Sequence, residues 1–305
     1  MTMTAGIVAM LVLSGCAGGS EESSPRGDDG GRPVVLTTFT VLADIARNVA
    51  GDHLTVESIT KDGAEIHDYE PTPQDVAKAS RADLILDNGL GLEAWFDQFV
   101  AASGAPRVDV SSGVETIDIT GGARAGEPNP HAWMSPSGTV TYVDNMAAAF
   151  SDLDPENAED YRQNASDYSE ELREVQETLV AALADVPESQ RVLVTCEGAF
   201  SYLARDAGLR ELYLWPVNSE EEGTARQVAA VIDQVRADDV PAVFCESSVP
   251  LRAMQQVVDA TGATFGGTLY VDSLSLSDGV VPSYLDLIRH DATTIADGLT
   301  GRTSS

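Results

Sequence analysis

Apolar positions along residues 33–153 come in two rhythms. Short runs at 34–39, 84–86 and 107–110, with an alternating stretch at 54–60, read as strands. Between and after them, 41–50, 73–81, 92–102 and 139–153 carry the three-and-four spacing of helices. The same succession returns beyond residue 187. Strands are expected at 191–196, 212–215, 242–245 and 268–271, and helices at 199–207, 224–237, 250–261 and 284–299. Strands alternating with helices of this length imply βαβ units and parallel sheets. The fold class is therefore α/β, with an N-terminal lobe at 33–153 and a C-terminal lobe at 187–301.

Between the lobes runs one long stripe. Ala158, Tyr161, Ala165, Tyr168, Leu172, Val175 and Leu179 recur at alternating steps of three and four. Asp154 suits an N-cap and Pro155 the first helical position, while Glu156 faces the positive end of the helix dipole. Pro187 ends the run. The linking helix is thus expected over 154–186, and about 32 residues would make a rod of roughly 48 Å. Such a spine would be stiff, so small tilts rather than wide opening are expected of the lobes. A dimeric coiled coil is the alternative, but the heptad pattern lasts only about three repeats. The chain is expected to be a monomer.

Composition narrows the partners. The 305 residues include 49 acidic against 18 basic side chains, a net charge of −31, and the lysines are Lys61 and Lys78 alone. That balance excludes charge-driven binding to nucleic acid or to an anionic membrane surface. With 43% hydrophobic residues the chain can bury two cores of ordinary domain size. The three cysteines, Cys16, Cys196 and Cys245, make neither a disulfide framework nor a zinc finger.

The first 16 residues have export grammar. Residues 5–13 are apolar and precede Ser14-Gly15-Cys16, a segment too short to span a bilayer. Leu13-Ser14-Gly15-Cys16 resembles a bacterial lipobox, in which Cys16 would become the lipidated first residue. Residues 1–15 contain no Lys or Arg, so the basic leader usual in such signals is missing from this stretch. Residues 17–32 are rich in Gly, Ser, Asp and Glu, the composition of a flexible tether.

Four side chains stand out as candidate ligands. His67 and His131 each lie in a loop that follows a strand, the edge where parallel sheets bind ligands. His53 and His290 read as solvated surface residues. Glu197 ends the apolar run Val192-Leu193-Val194, where burying a carboxylate is costly unless it is paired or binds a metal. Asp272 repeats that logic after Leu269-Tyr270-Val271. Taken singly, either histidine fits a structural role and Asp272 fits an N-cap. Together, two imidazoles from one lobe and two carboxylates from the other would close around a divalent cation.

The motifs that carry these residues resemble a known family. Glu65-Ile66-His67-Asp68-Tyr69-Glu70-Pro71-Thr72-Pro73, Asn129-Pro130-His131-Ala132-Trp133, Val194-Thr195-Cys196-Glu197-Gly198-Ala199-Phe200-Ser201-Tyr202-Leu203 and Leu269-Tyr270-Val271-Asp272-Ser273-Leu274 are similar to the metal-binding solute-binding lipoproteins of bacterial ABC transporters. This is the manganese, iron and zinc group with a rigid linking helix, and the likeness spans roughly residues 33–300. The resemblance implies metal ligation by His67, His131, Glu197 and Asp272. It also implies partnership with a permease and its ATPase, and a place outside the cell membrane on a lipid anchor. It implies no catalysis, and no sequence feature adds an adhesive role.

In that family, zinc importers carry His at the third ligand position and manganese or iron importers carry Glu, as Glu197 does here. The His-rich loop of zinc-type members has no counterpart, since 119–129 contains no histidine. Two carboxylates and two imidazoles form a relatively hard site suited to Mn2+ or Fe2+, although raw affinity still favours Zn2+ over Mn2+. Manganese is therefore expected first, with iron and zinc behind it. The competing readings are a mononuclear metalloenzyme and a siderophore- or cobalamin-binding protein of the same helix-joined build. The first lacks a separate acid–base or nucleophile constellation, and the second would favour aromatic and Arg side chains.

Cys196-Glu197 and Cys245-Glu246 repeat one dipeptide at the ends of two strands. If the strands are neighbours, the sulfurs lie side by side on the face opposite the glutamates. Two buried free thiols are expected, with a disulfide as the sharper option. Glu246 is expected to support the site rather than to ligate.

Overall fold

The computed structural model describes residues 31–64, 66–67, 69–96, 103–217 and 223–302. The signal and tether expected over residues 1–16 and 17–32, Cys16 included, lie outside the described residues apart from 31 and 32. No helix among those described is long and apolar enough to cross a membrane.

In the N-terminal half four parallel strands form one sheet in the order β2-β1-β3-β4: β1 Val34–Thr37, β2 Thr55–Ser58, β3 Leu84–Asp87 and β4 Arg107–Asp109. β3 is buried throughout, which is why it reads as an unbroken apolar run. Helix α1 (Thr40–Ala50) follows β1 and is buried around most of its circumference. Helix α2 (Pro73–Ala79) starts with Pro73 behind a reciprocal Thr72/Asp75 capping box. Helix α3 (Pro136–Leu153) starts behind Ser135, whose Oγ accepts the Gly138 N–H. Of the helix expected at 92–102, Gly91–Phe96 forms turns and residues 97–102 lie outside the described set.

The linking helix, α4, spans Ala158–Ala182. It is shorter than the predicted 154–186, and its 25 residues make a rod of roughly 38 Å. A 3-10 turn at Pro155–Asn157 precedes it, because Asp154 does not cap the helix. Its Oδ2 instead accepts the Asn157 Nδ2–H and the Tyr161 O–H, both at 2.7 Å. At the other end residues 183–185 unwind into turns before Pro187.

The C-terminal half holds the parallel pairs β5 (Val192–Glu197) with β6 (Arg210–Trp215), and β7 (Ala242–Glu246) with β8 (Thr264–Leu269). Helices α5 (Ser201–Ala207), α6 (Ala225–Asp238), α7 (Arg252–Thr261) and α8 (Tyr284–Thr300) complete it. β5 lies beside β7, and there the structure departs from the expectation of free thiols. Cys196 and Cys245 form a disulfide across Cα atoms 4.9 Å apart, a separation within normal disulfide geometry. The strand expected at 268–271 sits earlier, so Asp272 falls in the loop after β8 rather than at a strand end.

The two halves share their main core. One apolar cluster runs from Val35 and Phe39 through Tyr161, Leu172 and Leu179 of α4 to Phe244, Leu287 and Ile295. α4 packs against α1 and α3 of the first half and α5 and α8 of the second. The spine is therefore the middle of a shared core. Smaller clusters cover the remaining sheet faces, around Leu36, Ile85 and Phe96 in the first half and Val194, Leu214 and Val243 in the second.

Candidate metal centre

All four candidate ligands lie where the halves meet. His67 follows Ile66, whose carbonyl accepts the indole N–H of Trp95 at 2.9 Å. Tyr69 packs on the same indole and donates its O–H to Asp75 of the α2 capping box. The loop is thus pinned on both sides of the histidine. His131 opens a 3-10 turn at Ala132–Met134, beside the buried ring of Trp133. Trp133 donates its indole N–H to the Val271 carbonyl at 3.1 Å, which ties this loop to the one that carries Asp272. The Asp272 loop is held further by Tyr270 N–H on Asp291 Oδ1 and by Leu274 N–H on Thr40 Oγ1, both at 3.0 Å.

Glu197 ends β5, and its backbone N–H reaches both carboxyl oxygens of Glu246 at 3.2 and 3.3 Å. Gly198 follows, and a Cβ there would sit 2.9 Å from the ring of Tyr213, so a larger residue would push that ring aside. Glu246 thus backs the Glu197 strand end.

His67 Nε2 and His131 Nε2 are 3.2 Å apart, close enough to share a proton or a cation. Two nitrogens bound to one metal at about 2.0–2.1 Å would stand this far apart at an angle of roughly 100°. Asp272 Oδ1 lies 3.6 Å from the first nitrogen and 3.9 Å from the second. One donor atom from each of His67, His131 and Glu197 falls within 4.8 Å of the others. His131 is 0% exposed, Glu197 7% and Asp272 5%, and the His67 side chain is 8% exposed. Buried Asp272 Oδ1 has no hydrogen bond of normal geometry among the described residues.

The protonation states favour ligation. Burial, aided by the neighbouring His67, pushes His131 down to about 3, so its imidazole is neutral. Its Nδ1 faces Asn129 Oδ1 at 2.9 Å and carries the proton, which leaves the Nε2 lone pair turned into the centre. Burial alone would raise Asp272, but the adjoining His67, and after it His131, hold it below the usual carboxylate range. Burial and the Glu197 charge hold Glu246 well above that range. Two imidazoles and two carboxylates on one small volume make a chelating set.

The other two histidines stay apart from the centre, as expected, but each has a partner. His53 Nε2 meets Asp160 Oδ2 at 2.9 Å, and His290 Nε2 lies 3.0 Å from the Thr268 carbonyl. The residue that sequence reasoning missed is Asn129. Its place two positions before His131 was the available signal, since an Asn side chain readily takes the N–H two residues on.

The sequence model of the family described as "ZnuA: Zinc-uptake complex component A periplasmic" matches residues 35–298. The chain belongs to the ZnuA family. This ZnuA-family chain is 49% identical over 265 residues to the iron-binding protein YfeA of Yersinia pestis, covering 87% of this chain and 85% of that one. It is 34% identical over 300 residues to the manganese ABC transporter substrate-binding lipoprotein PsaA of Streptococcus mitis, covering 96% of each. Among solved structures it is similar to the Mn-bound periplasmic metal binding protein of Candidatus Liberibacter asiaticus. The TM-score there is 0.82 at 39% identity, over 88% of this chain and 100% of that one. The ZnuA-family chain is thus a substrate-binding component of a metal ABC transporter and not an enzyme. Its two α/β halves and linking helix match the architecture that the resemblance implied.

Proposed function

We propose that the chain captures a single divalent metal ion through His67, His131, Glu197 and Asp272 and hands it to a membrane permease driven by an ATPase. The metal is cargo. The observation that carries this reading is the 3.2 Å approach of two imidazole nitrogens beside a buried carboxylate oxygen. Such a grouping leaves lone pairs facing one another unless a cation or proton sits between them. Mn2+ is the favoured ion, with Fe2+ and Zn2+ as competitors. Glu197 supplies a hard oxygen where a third imidazole would favour zinc, and the relatives named for manganese and iron support the same range. The protein works outside the cell membrane, held by a lipid on Cys16, with residues 17–32 as its tether.

Elemental analysis of protein purified from metal-replete native cells, paired with Glu197→His, tests the reading. Manganese is expected in the native protein, and the substitution should move preference toward zinc. Zinc in the native protein together with an unchanged preference in Glu197→His would refute it.

A further inference from the structure

One amide side chain touches both halves of the centre. Asn129 is buried, and its Oδ1 accepts from the His131 backbone N–H at 3.1 Å and from ring Nδ1 at 2.9 Å. Its Nδ2 donates to the Gly198 carbonyl at 2.7 Å and to Ser201 Oγ at 3.2 Å. Gly198 directly follows Glu197, so the two ligand-bearing segments, 69 residues apart in sequence, are joined through this one group. Around it, Tyr202 donates its O–H to the Asn129 carbonyl at 2.7 Å, and Ser201 Oγ–H donates to Glu211 Oε2 at 2.5 Å.

We propose that Asn129 is a positioning residue with two separable roles, an inference that rests on the metal-site reading above. Its oxygen holds His131 in the Nδ1–H form, so that Nε2 faces the metal. Its nitrogen latches the His131 loop to the strand end that carries Glu197. Only an amide does both. A carboxylate keeps the acceptor for Nδ1–H but sets an oxygen against the Gly198 carbonyl. A flipped amide would set N–H groups against the imidazole N–H and oxygen against oxygen, so the orientation is fixed from both sides. The latch borders a cavity of ≈ 290 Å³ lined by Gly198, Ser201, Glu211 and Tyr213 among others. Water from that cavity can satisfy the amide when the halves tilt slightly, so a small tilt would loosen His131 as the cation leaves.

The test compares wild type, Asn129→Asp and Asn129→Ala in the full chain. Nitrogen NMR of histidine-labelled apo protein reads the His131 tautomer, which is tractable with four histidines in the sequence. Titration with Mn2+ reads affinity, and a chelator chase reads release. Asn129→Ala should lose the fixed tautomer and bind Mn2+ about 10- to 100-fold more weakly, the usual cost of removing a group that orients a ligand histidine. Asn129→Asp should keep the tautomer yet release Mn2+ about tenfold faster, as expected for one lost hydrogen bond. A tautomer unchanged in Asn129→Ala, or a wild-type release rate in Asn129→Asp, overturns the proposal. Should the alanine variant fail to fold, the near-isosteric aspartate variant carries the test on release alone. Wild-type protein that takes up no Mn2+, or His131→Gln that binds it as tightly as wild type, would instead refute the metal-site reading.

Discussion

Individual residues divide by how local their physics is. Glu197 is legible in the sequence because an apolar run ends on a carboxylate, and burial of that strand follows from the run itself. Asn129 is not, because its decisive partner, the Gly198 carbonyl, comes from the other half of the chain. Glu93 is a second silent case. Nothing in the sequence separates it from the other acids, yet it is buried and takes hydrogen bonds from Thr38 Oγ1, Asn88 N–H and Gly89 N–H. Burial, then the charge of Asp87, pushes its carboxyl up to about 8. The sign of the consequence is fixed. Between its ordinary range and pH 8 the folded chain holds a proton that the unfolded chain has shed, so stability falls as pH rises through that window. At about 1.4 kcal/mol per pH unit for a full proton difference, the contribution amounts to a few kcal/mol. Urea unfolding at pH 5 and pH 8 should therefore show a shallower loss in Glu93→Gln than in wild type. Equal slopes would show that Glu93 is ionised in the folded state.

At the scale of elements, the strand and helix pattern foretold the architecture, and the errors sit at ends and joins. The linking helix loses a turn at its start because Asp154 turns its oxygen to Asn157 and Tyr161 instead of capping. The last strand is shifted because Gly266 and Gly267 interrupt the apolar pattern of β8 without ending its pairing with β7. The repeated Cys-Glu dipeptide gave the adjacency of β5 and β7 but not the bond between them, since spacing alone cannot distinguish touching thiols from a disulfide. That bond joins residues 49 apart. Replacing both cysteines by serine should lower unfolding free energy by about 2–4 kcal/mol. A reducing agent should lower the wild type to the same level and leave the variant unmoved. Wild type and variant with coincident urea midpoints would show that the sulfurs are not bonded in solution.

For the molecule as a whole, the sequence implied two lobes on a spine, and the packing adds that the spine lies inside a core common to both. Pairwise burial across such distances leaves no trace in local periodicity, because the α4 stripe looks the same whether it faces one neighbour or four. The shared core makes the meeting of the halves a fixed feature of the fold. Bonds from Ser135 to Asp206 and from Arg205 to the Glu115 carbonyl reinforce it. The net charge of −31 surrounds that junction with a field that concentrates cations of any kind, so selection falls to the four buried donors. The central claim is that one cation is held by side chains from both halves. Anomalous diffraction from crystals grown with Mn2+, recorded across the manganese edge, tests it most directly. The account predicts one strong peak bounded by His67, His131, Glu197 and Asp272. A peak elsewhere, or one touched by donors from a single half, would contradict it.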